Sequence, residues 1–120
     1  MKKQSLPQAF SNAFNGLFFF LRRDRNGRIH LAVSVLVSGA GLYFHVSATE
    51  WLFLLACFAM VPCFEMMNYA LEQVCDVAHP SYHPLIRIAK DVAAAAVLWS
   101  ALVSVAIGLV IFIPKTIQLL

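Results

Sequence analysis

The sequence predicts an all-α membrane protein in which an N-terminal amphipathic surface helix precedes three transmembrane helices. Of its 120 residues, 61% are hydrophobic and 12% are charged, whereas soluble domains average about half apolar and a quarter charged residues. Three apolar segments, at residues 29–46, 51–77 and 92–113, approach the ~20 residues that a helix needs to cross a bilayer. The whole chain, residues 1–120, is expected to form one domain.

The surface helix is predicted over about residues 6–22. Apolar side chains recur there at the helical spacing typical of interfacial helices: Phe10, Phe14, Leu17 and Leu21. The basic segment 22–28 follows, and its Asn26 and Gly27 favour a turn that ends this helix.

The three predicted spans differ in composition. The segment 92–113 is apolar and rich in small residues, which let neighbouring helices approach closely, and Pro114 is expected to end it. The segment 51–77 is apolar in its first half and polar in its second, and Pro62 is expected to kink it. The segment 29–46 is the weakest candidate.

The basic residues are distributed unevenly about these spans. Eight of the nine lie before the first span or between the second and third: Lys2, Lys3, Arg22, Arg23, Arg25, Arg28, Arg87 and Lys90. Because cytoplasmic segments carry an excess of Lys and Arg, the N-terminus is predicted to be cytoplasmic. The net charge of +3 follows from this topology and the anionic inner leaflet, so no nucleic-acid partner is predicted.

Four residues of the second span form what we call the polar stripe: Glu65, Asn68, Glu72 and Asp76. At about 100° per helical residue they fall within an arc of about 80°. Ionisable groups in a membrane segment are rare unless they face a partner helix or a functional cavity. If Trp51 marks the outer interface, the stripe begins roughly 21 Å further in and continues to the cytosol. This placement suits a reaction between a lipid and a water-soluble reactant.

Other charged residues belong to the same cytoplasmic end. Asp24 could join Glu72 in holding Mg²⁺, which favours carboxylates combined with substrate phosphates, although it also suits pairing with a neighbouring arginine. Lys90 and Asp91 open the third span, where Lys90 could neutralise phosphate oxygens or act as an interfacial anchor. The three cysteines show no metal-ligand spacing and are expected to be buried thiols: Cys57, Cys63 and Cys75.

Four spaced blocks of residues carry a family resemblance: Arg25-Asn26-x-Arg28-Ile29-His30, Glu65-x-x-Asn68-x-Ala70-x-Glu72-x-x-x-Asp76, Ser81-Tyr82-His83-Pro84-Leu85 and Ala89-Lys90-Asp91-x-Ala93-Ala94. The resemblance covers nearly the whole chain. In this order they resemble the prokaryotic diacylglycerol kinase family, which consists of small integral membrane lipid kinases. The first and third blocks look more like the branch that phosphorylates undecaprenol. No residue, however, distinguishes a lipid with acyl chains from one with a prenyl chain.

The resemblance implies a homotrimer in the bacterial inner membrane that transfers the γ-phosphoryl group of MgATP to a lipid alcohol, undecaprenol or diacylglycerol. It implies that Glu65 is the general base on the lipid hydroxyl, with Asn68 beside it, and that Mg²⁺ is the cofactor. The residues implied around the nucleotide, of which the first two would bind the metal, are Asp24, Glu72, Asp76, Tyr82, His83, Lys90 and Asp91.

The chain departs from the pattern of this family near the expected site. Tyr69 stands where a small Ser or Thr is usual, Gly27 where an aromatic residue is common, and Asp24 where Glu is usual. The surface helix has Ser5 and Gln8 and lacks its usual basic residue. These changes bear on ATP affinity and on the shape of the lipid pocket.

Two functions from different classes remain open on the residues alone. A proton or cation carrier would use Glu65, Glu72 and Asp76 as a relay. A relay needs neither the amide of Asn68 nor a cationic pocket at Lys90, whereas phosphoryl transfer needs positioning and charge neutralisation. The resemblance adds weight to the lipid kinase.

Overall fold

The computed structural model describes residues 3–120, which form four helices and no β-strand. The helices are α1 (Leu6–Arg23), α2 (Arg25–Tyr43), α3 (Ala48–Ala78) and α4 (Pro84–Leu119). The predicted all-α class is therefore confirmed over these residues. Lys2, which contributed to the charge asymmetry, lies outside the described residues.

Two of the helices, α3 and α4, are long and apolar enough to cross a membrane, judged by length and composition. The third predicted span corresponds to α2, which is shorter and carries Arg25 and Arg28 in its first turn. These polar residues lower its mean hydropathy below that of the other two helices. The three-span topology therefore stays a prediction.

A single residue, Asp24, separates α1 from α2. Its backbone N–H donates to the carbonyl of Phe20 at 2.8 Å and so ends α1, while its carboxylate accepts from the N–H of Gly27 at 3.0 Å and so caps α2. Aspartate is among the preferred residues at a helix N-terminus. The predicted turn at Asn26 and Gly27 is wrong, because this cap lets α2 begin at Arg25.

The helix α4 continues through Pro114, so the prediction that this proline ends the helix is wrong. Proline removes one backbone donor, but other groups hold the last turns. The hydroxyl of Thr116 donates to the carbonyl of Phe112 at 2.9 Å, and the ammonium group of Lys115 donates to Glu50 at the start of α3 at 2.8 Å.

The connection between α2 and α3 is a tight turn. His45 adopts φ of 53°, and the N–H of Val46 donates to the carbonyl of Gly41 at 3.1 Å, as in a Schellman motif. Ser47 and Glu50 then form a capping box at the start of α3. The turn places α2 and α3 side by side.

Most apolar side chains on α2, α3 and α4 face away from the chain's own interior. The small buried core lies near the turn and consists of Val46, Leu54 and Ile111. Cys57 and Cys75 are buried as predicted, but Cys63 is exposed, because it lies on the outward face of α3. Such a surface suits lipid or further copies of the chain better than water.

Candidate functional site

The polar stripe begins at Glu65, whose side chain is nearly inaccessible, with 3% of the residue exposed. Asp24 and Asn26 lie close enough to interact with its carboxylate. One turn further along α3, the side-chain oxygen of Asn68 is buried without a hydrogen-bond partner among the described residues. A buried acceptor without a donor is uncommon in native proteins and calls for an explanation. Here it marks a place where a bound group could supply the missing donor.

The position of Asp24 depends on the junction between α1 and α2. Besides the cap described above, the guanidinium group of Arg28 donates to the carbonyls of Leu21 at 3.0 Å and Arg22 at 2.8 Å. These carbonyls belong to the last turn of α1, where no intrahelical donor is available. Arg28 therefore ties the end of α1 to the start of α2 and fixes the residue between them.

At the other end of the stripe, Asp76 pairs with Lys90 of α4, and the ammonium nitrogen lies 2.6 Å from the carboxylate oxygen. Glu72 lies between this pair and Glu65, and its charge acts on both Glu65 and Lys90. By helical rise, Asp76 lies about 16 Å from Glu65 along the axis of α3. The stripe therefore connects a buried acidic end with an exposed ion pair.

The remaining predicted residues lie around the loop between α3 and α4. His83 caps α4, because its Nδ1 accepts from the N–H of Leu85 at 3.1 Å. Tyr82 is largely exposed. Asp91 forms an ion pair with Arg87 at 3.3 Å, one helical turn away. The single chain therefore does not bring these three side chains together with Glu65.

Gly27 and Tyr69, which both depart from the family pattern described above, lie on either side of the Phe20 ring. The ring of Phe20 packs edge-on against Tyr69, with ring centroids 5.9 Å apart. A Cβ atom added to Gly27 would lie 2.5 Å from two carbon atoms of that same ring. Gly27 thus leaves the space that the Phe20 ring occupies, and Tyr69 supplies the surface on which it rests. The small residue and the large one compensate for each other and hold α1 beside the polar stripe.

This contact gives a prediction for Gly27→Ala. The added methyl group would force the buried Phe20 ring from its place, and overpacking of this kind costs about 1–3 kcal/mol. We expect a lower midpoint of thermal inactivation in detergent. Gly16→Ala is the matched control on α1, since no atom lies within 4 Å of its added Cβ. Equal midpoints for the two variants would contradict the compensation.

Sequence reasoning assigned no site role to three residues that the structure places here: Asn26, Arg28 and His30. The Nε2 atom of His30 lies 4.0 Å from the Glu65 carboxylate. All three belong to the first of the four sequence blocks, so the block itself was a signal. Its polar residues were interpreted as a turn instead of the start of a helix that packs against α3.

The described residues contain no group of three or more His, Cys, Asp or Glu side chains that could hold a metal ion. A metal held by the protein alone is therefore not supported within residues 3–120. Mg²⁺ is commonly bound by one or two carboxylates together with substrate phosphates. Asp24 and Glu72, which both act on Glu65, fit that kind of donor set.

Comparison with known proteins places this all-helical chain in one class of protein. Residues 11–112 match the family described as prokaryotic diacylglycerol kinase. The chain is 34% identical to an undecaprenol kinase of Bacillus subtilis over 90% of its own length and 88% of that protein. It is 36% identical to a diacylglycerol kinase of Synechocystis over 97% of its own length and 67% of that protein. The chain belongs to the prokaryotic diacylglycerol kinase family.

Proposed function

We propose that the protein is an integral membrane lipid kinase that transfers the γ-phosphoryl group of MgATP to a lipid alcohol, undecaprenol or diacylglycerol. The observation that carries this proposal is the burial of Glu65 at 3% exposure beside the unpartnered acceptor of Asn68. A lipid hydroxyl has one proton, which Asn68 could accept in a hydrogen bond when the lipid binds and which Glu65 could take when the lipid reacts. Family membership supports this chemistry over the alternative of a proton or cation carrier.

In the proposed reaction, the lipid hydroxyl loses its proton to the carboxylate of Glu65 as its oxygen attacks the γ-phosphorus. The bond between that phosphorus and the bridging oxygen of ADP breaks, so the products are a lipid phosphate and ADP. Asn68 would hold the hydroxyl by accepting from it before transfer. Catalysis of this kind depends mainly on positioning and on stabilising charge, together with an acceptor for the proton.

Asp24 and Glu72 would hold Mg²⁺, which would neutralise the phosphate oxygens of the nucleotide. Asp24 is suited to this role because one of its carboxylate oxygens caps α2 at 3.0 Å and so fixes the group. Lys90, paired with Asp76, would exchange that partner for a phosphate oxygen. Tyr82, His83 and Asp91 would surround the rest of the nucleotide.

The proposed setting is the bacterial inner membrane, with α2 as a third span and the N-terminus in the cytoplasm. A homotrimer is proposed as the assembly. The exposed apolar faces of α3 and α4 support association. In addition, a single chain cannot cover the polar stripe on all sides. The basic residues at the start of α2 and near the start of α4 support a cytoplasmic location for those ends.

The test of the proposed function is a direct product assay. Purified protein in lipid would be incubated with γ-labelled ATP, Mg²⁺ and either undecaprenol or diacylglycerol, and the lipid fraction would be separated. We expect a labelled lipid phosphate with at least one of the two alcohols. A labelled lipid from neither, together with proton or cation flux through protein-containing vesicles, would replace the kinase by the carrier.

The proposed metal ligands give a second prediction. Glu72→Gln and Asp24→Asn should each raise the Mg²⁺ concentration for half-maximal activity by about tenfold or more, a scale typical of weakened metal sites. Asparagine keeps the cap on α2, so Asp24→Asn separates metal binding from folding. The measurement is a Mg²⁺ titration at fixed ATP. An unchanged requirement in both variants would place the metal elsewhere.

A further inference from the structure

His30 approaches the proposed base from a different helix. Its Nε2 atom lies 4.0 Å from a carboxylate oxygen of Glu65, and the two side chains are 24% and 4% exposed. The separation is longer than a hydrogen bond. Contacts of this kind in catalytic sites are often long in the free enzyme and tighten when substrate is bound. Nothing in the proposed reaction so far uses this imidazole.

His30 also lines a partly open cavity of about 320 Å³ between α2, α3 and α4, and its walls are almost entirely apolar. On α3, the wall includes Leu54, Phe58 and Val61. Glu65 follows Val61 by four residues, so it continues the same helical face beyond the cavity wall. The imidazole therefore lies where the apolar cavity ends and the acidic end of the polar stripe begins.

The other groups around Glu65 cannot play the same part. Asp24 and Glu72 are carboxylates, which accept hydrogen bonds and have no proton to donate when ionised. Asn26 at the start of α2 also acts on the Glu65 carboxylate, but it does not line the cavity. On α4, the cavity wall has the hydroxyl of Ser104, which is buried without a partner among the described residues. His30 is thus the donor that faces Glu65 from the side of the cavity.

We propose that His30 is a positioning residue for the reaction: its Nε2–H group donates to the Glu65 carboxylate and turns it towards a hydroxyl that arrives from the cavity. This inference rests on the proposed function. Among the groups around this buried carboxylate, the imidazole of His30 supplies an N–H donor on the side of the cavity. The other carboxylate oxygen then remains available to accept the proton.

Three variants test this role. His30→Phe keeps a ring of similar size and removes the donor, and we expect kcat to fall by roughly 10-fold to 100-fold, the scale of a misplaced catalytic group. His30→Gln restores an N–H donor and should recover most of that loss. Leu36→Phe is the control, because it adds a ring to α2 at a position that is 72% exposed.

The measurements are kcat and KM for both substrates, with Mg²⁺ and the better of the two lipid alcohols. We expect KM for MgATP to stay within twofold in every variant, since His30 does not contact the nucleotide in the proposed site. Equal kcat for His30→Phe and the wild type, or equal losses in His30→Phe and His30→Gln, would overturn the positioning role. If the wild type phosphorylates neither lipid, the proposed function fails first, and the two failures are distinguished.

Discussion

Glu65→Gln should abolish phosphoryl transfer while leaving the fold intact. Glutamine has nearly the same shape as glutamate, so the buried position remains filled, but its amide cannot take a proton from the lipid hydroxyl. Loss of a general base typically reduces the rate by about 100-fold to 10,000-fold. The measurement is the initial rate of lipid phosphate formation at saturating MgATP, with thermal inactivation followed in parallel.

The matched control is Glu50→Gln, which makes the same chemical change on the same helix. Glu50 pairs with Lys115 at the opposite end of α3 and lies 15 residues from Glu65 in the sequence. We expect this variant to keep its catalytic rate. A Glu65→Gln protein with near-normal turnover would remove Glu65 from the role of base, whereas equal losses in both variants would point to a general effect on the helix.

The helices and the polar stripe were predictable because their signals are local. Apolar periodicity marks α1, and long apolar runs mark the first half of α3 and most of α4, helices whose existence the structure confirms. The stripe needed only helical spacing, since residues three or four apart share a face. Even the partner of Asp76 could be predicted in part, because Lys90 follows the short loop after α3 and opens the next helix.

Helix ends were less predictable, because they depend on hydrogen bonds that composition does not encode. Pro114 suggested the end of α4, yet Lys115 bonds to Glu50, which is 65 residues away in the sequence. Asn26 and Gly27 suggested a turn, yet the cap supplied by Asp24 places both inside α2. In the first case the contact is distant in the sequence, and in the second it is a local cap that competes with an equally local turn signal.

The surroundings of Glu65 were not predictable from the residue pattern of α3, because they are supplied by α2. The approach of His30 to Glu65 follows from the packing of α2 on α3, and the space for the Phe20 ring follows from the absence of a side chain at Gly27. Substitutions that depart from the pattern of a family are easily interpreted as separate losses. Here the contacts join Gly27, Phe20 and Tyr69 into one compensated unit.

The distance between the two ends of the polar stripe bears on the proposed trimer. Asp76, which pairs with Lys90, lies about 16 Å along α3 from the proposed base Glu65. In the proposed reaction, the phosphoryl group passes from the nucleotide to a lipid hydroxyl at Glu65. A site in which one subunit supplies Glu65 and a neighbour supplies Lys90 would shorten this path.

The expected result for shared sites is that two inactive chains restore each other. Glu65→Gln lacks the base and Lys90→Ala lacks the phosphate partner, so each alone should be inactive. When the two are co-purified as mixed oligomers through different tags, a site formed across their interface can contain both intact groups, and lipid kinase activity should return. Glu65→Gln mixed with Glu65→Gln carrying the second tag is the control and should stay inactive. Mixed oligomers without activity would instead indicate that each site takes Glu65 and Lys90 from the same chain. Every site in a mixed oligomer would then lack one of the two groups.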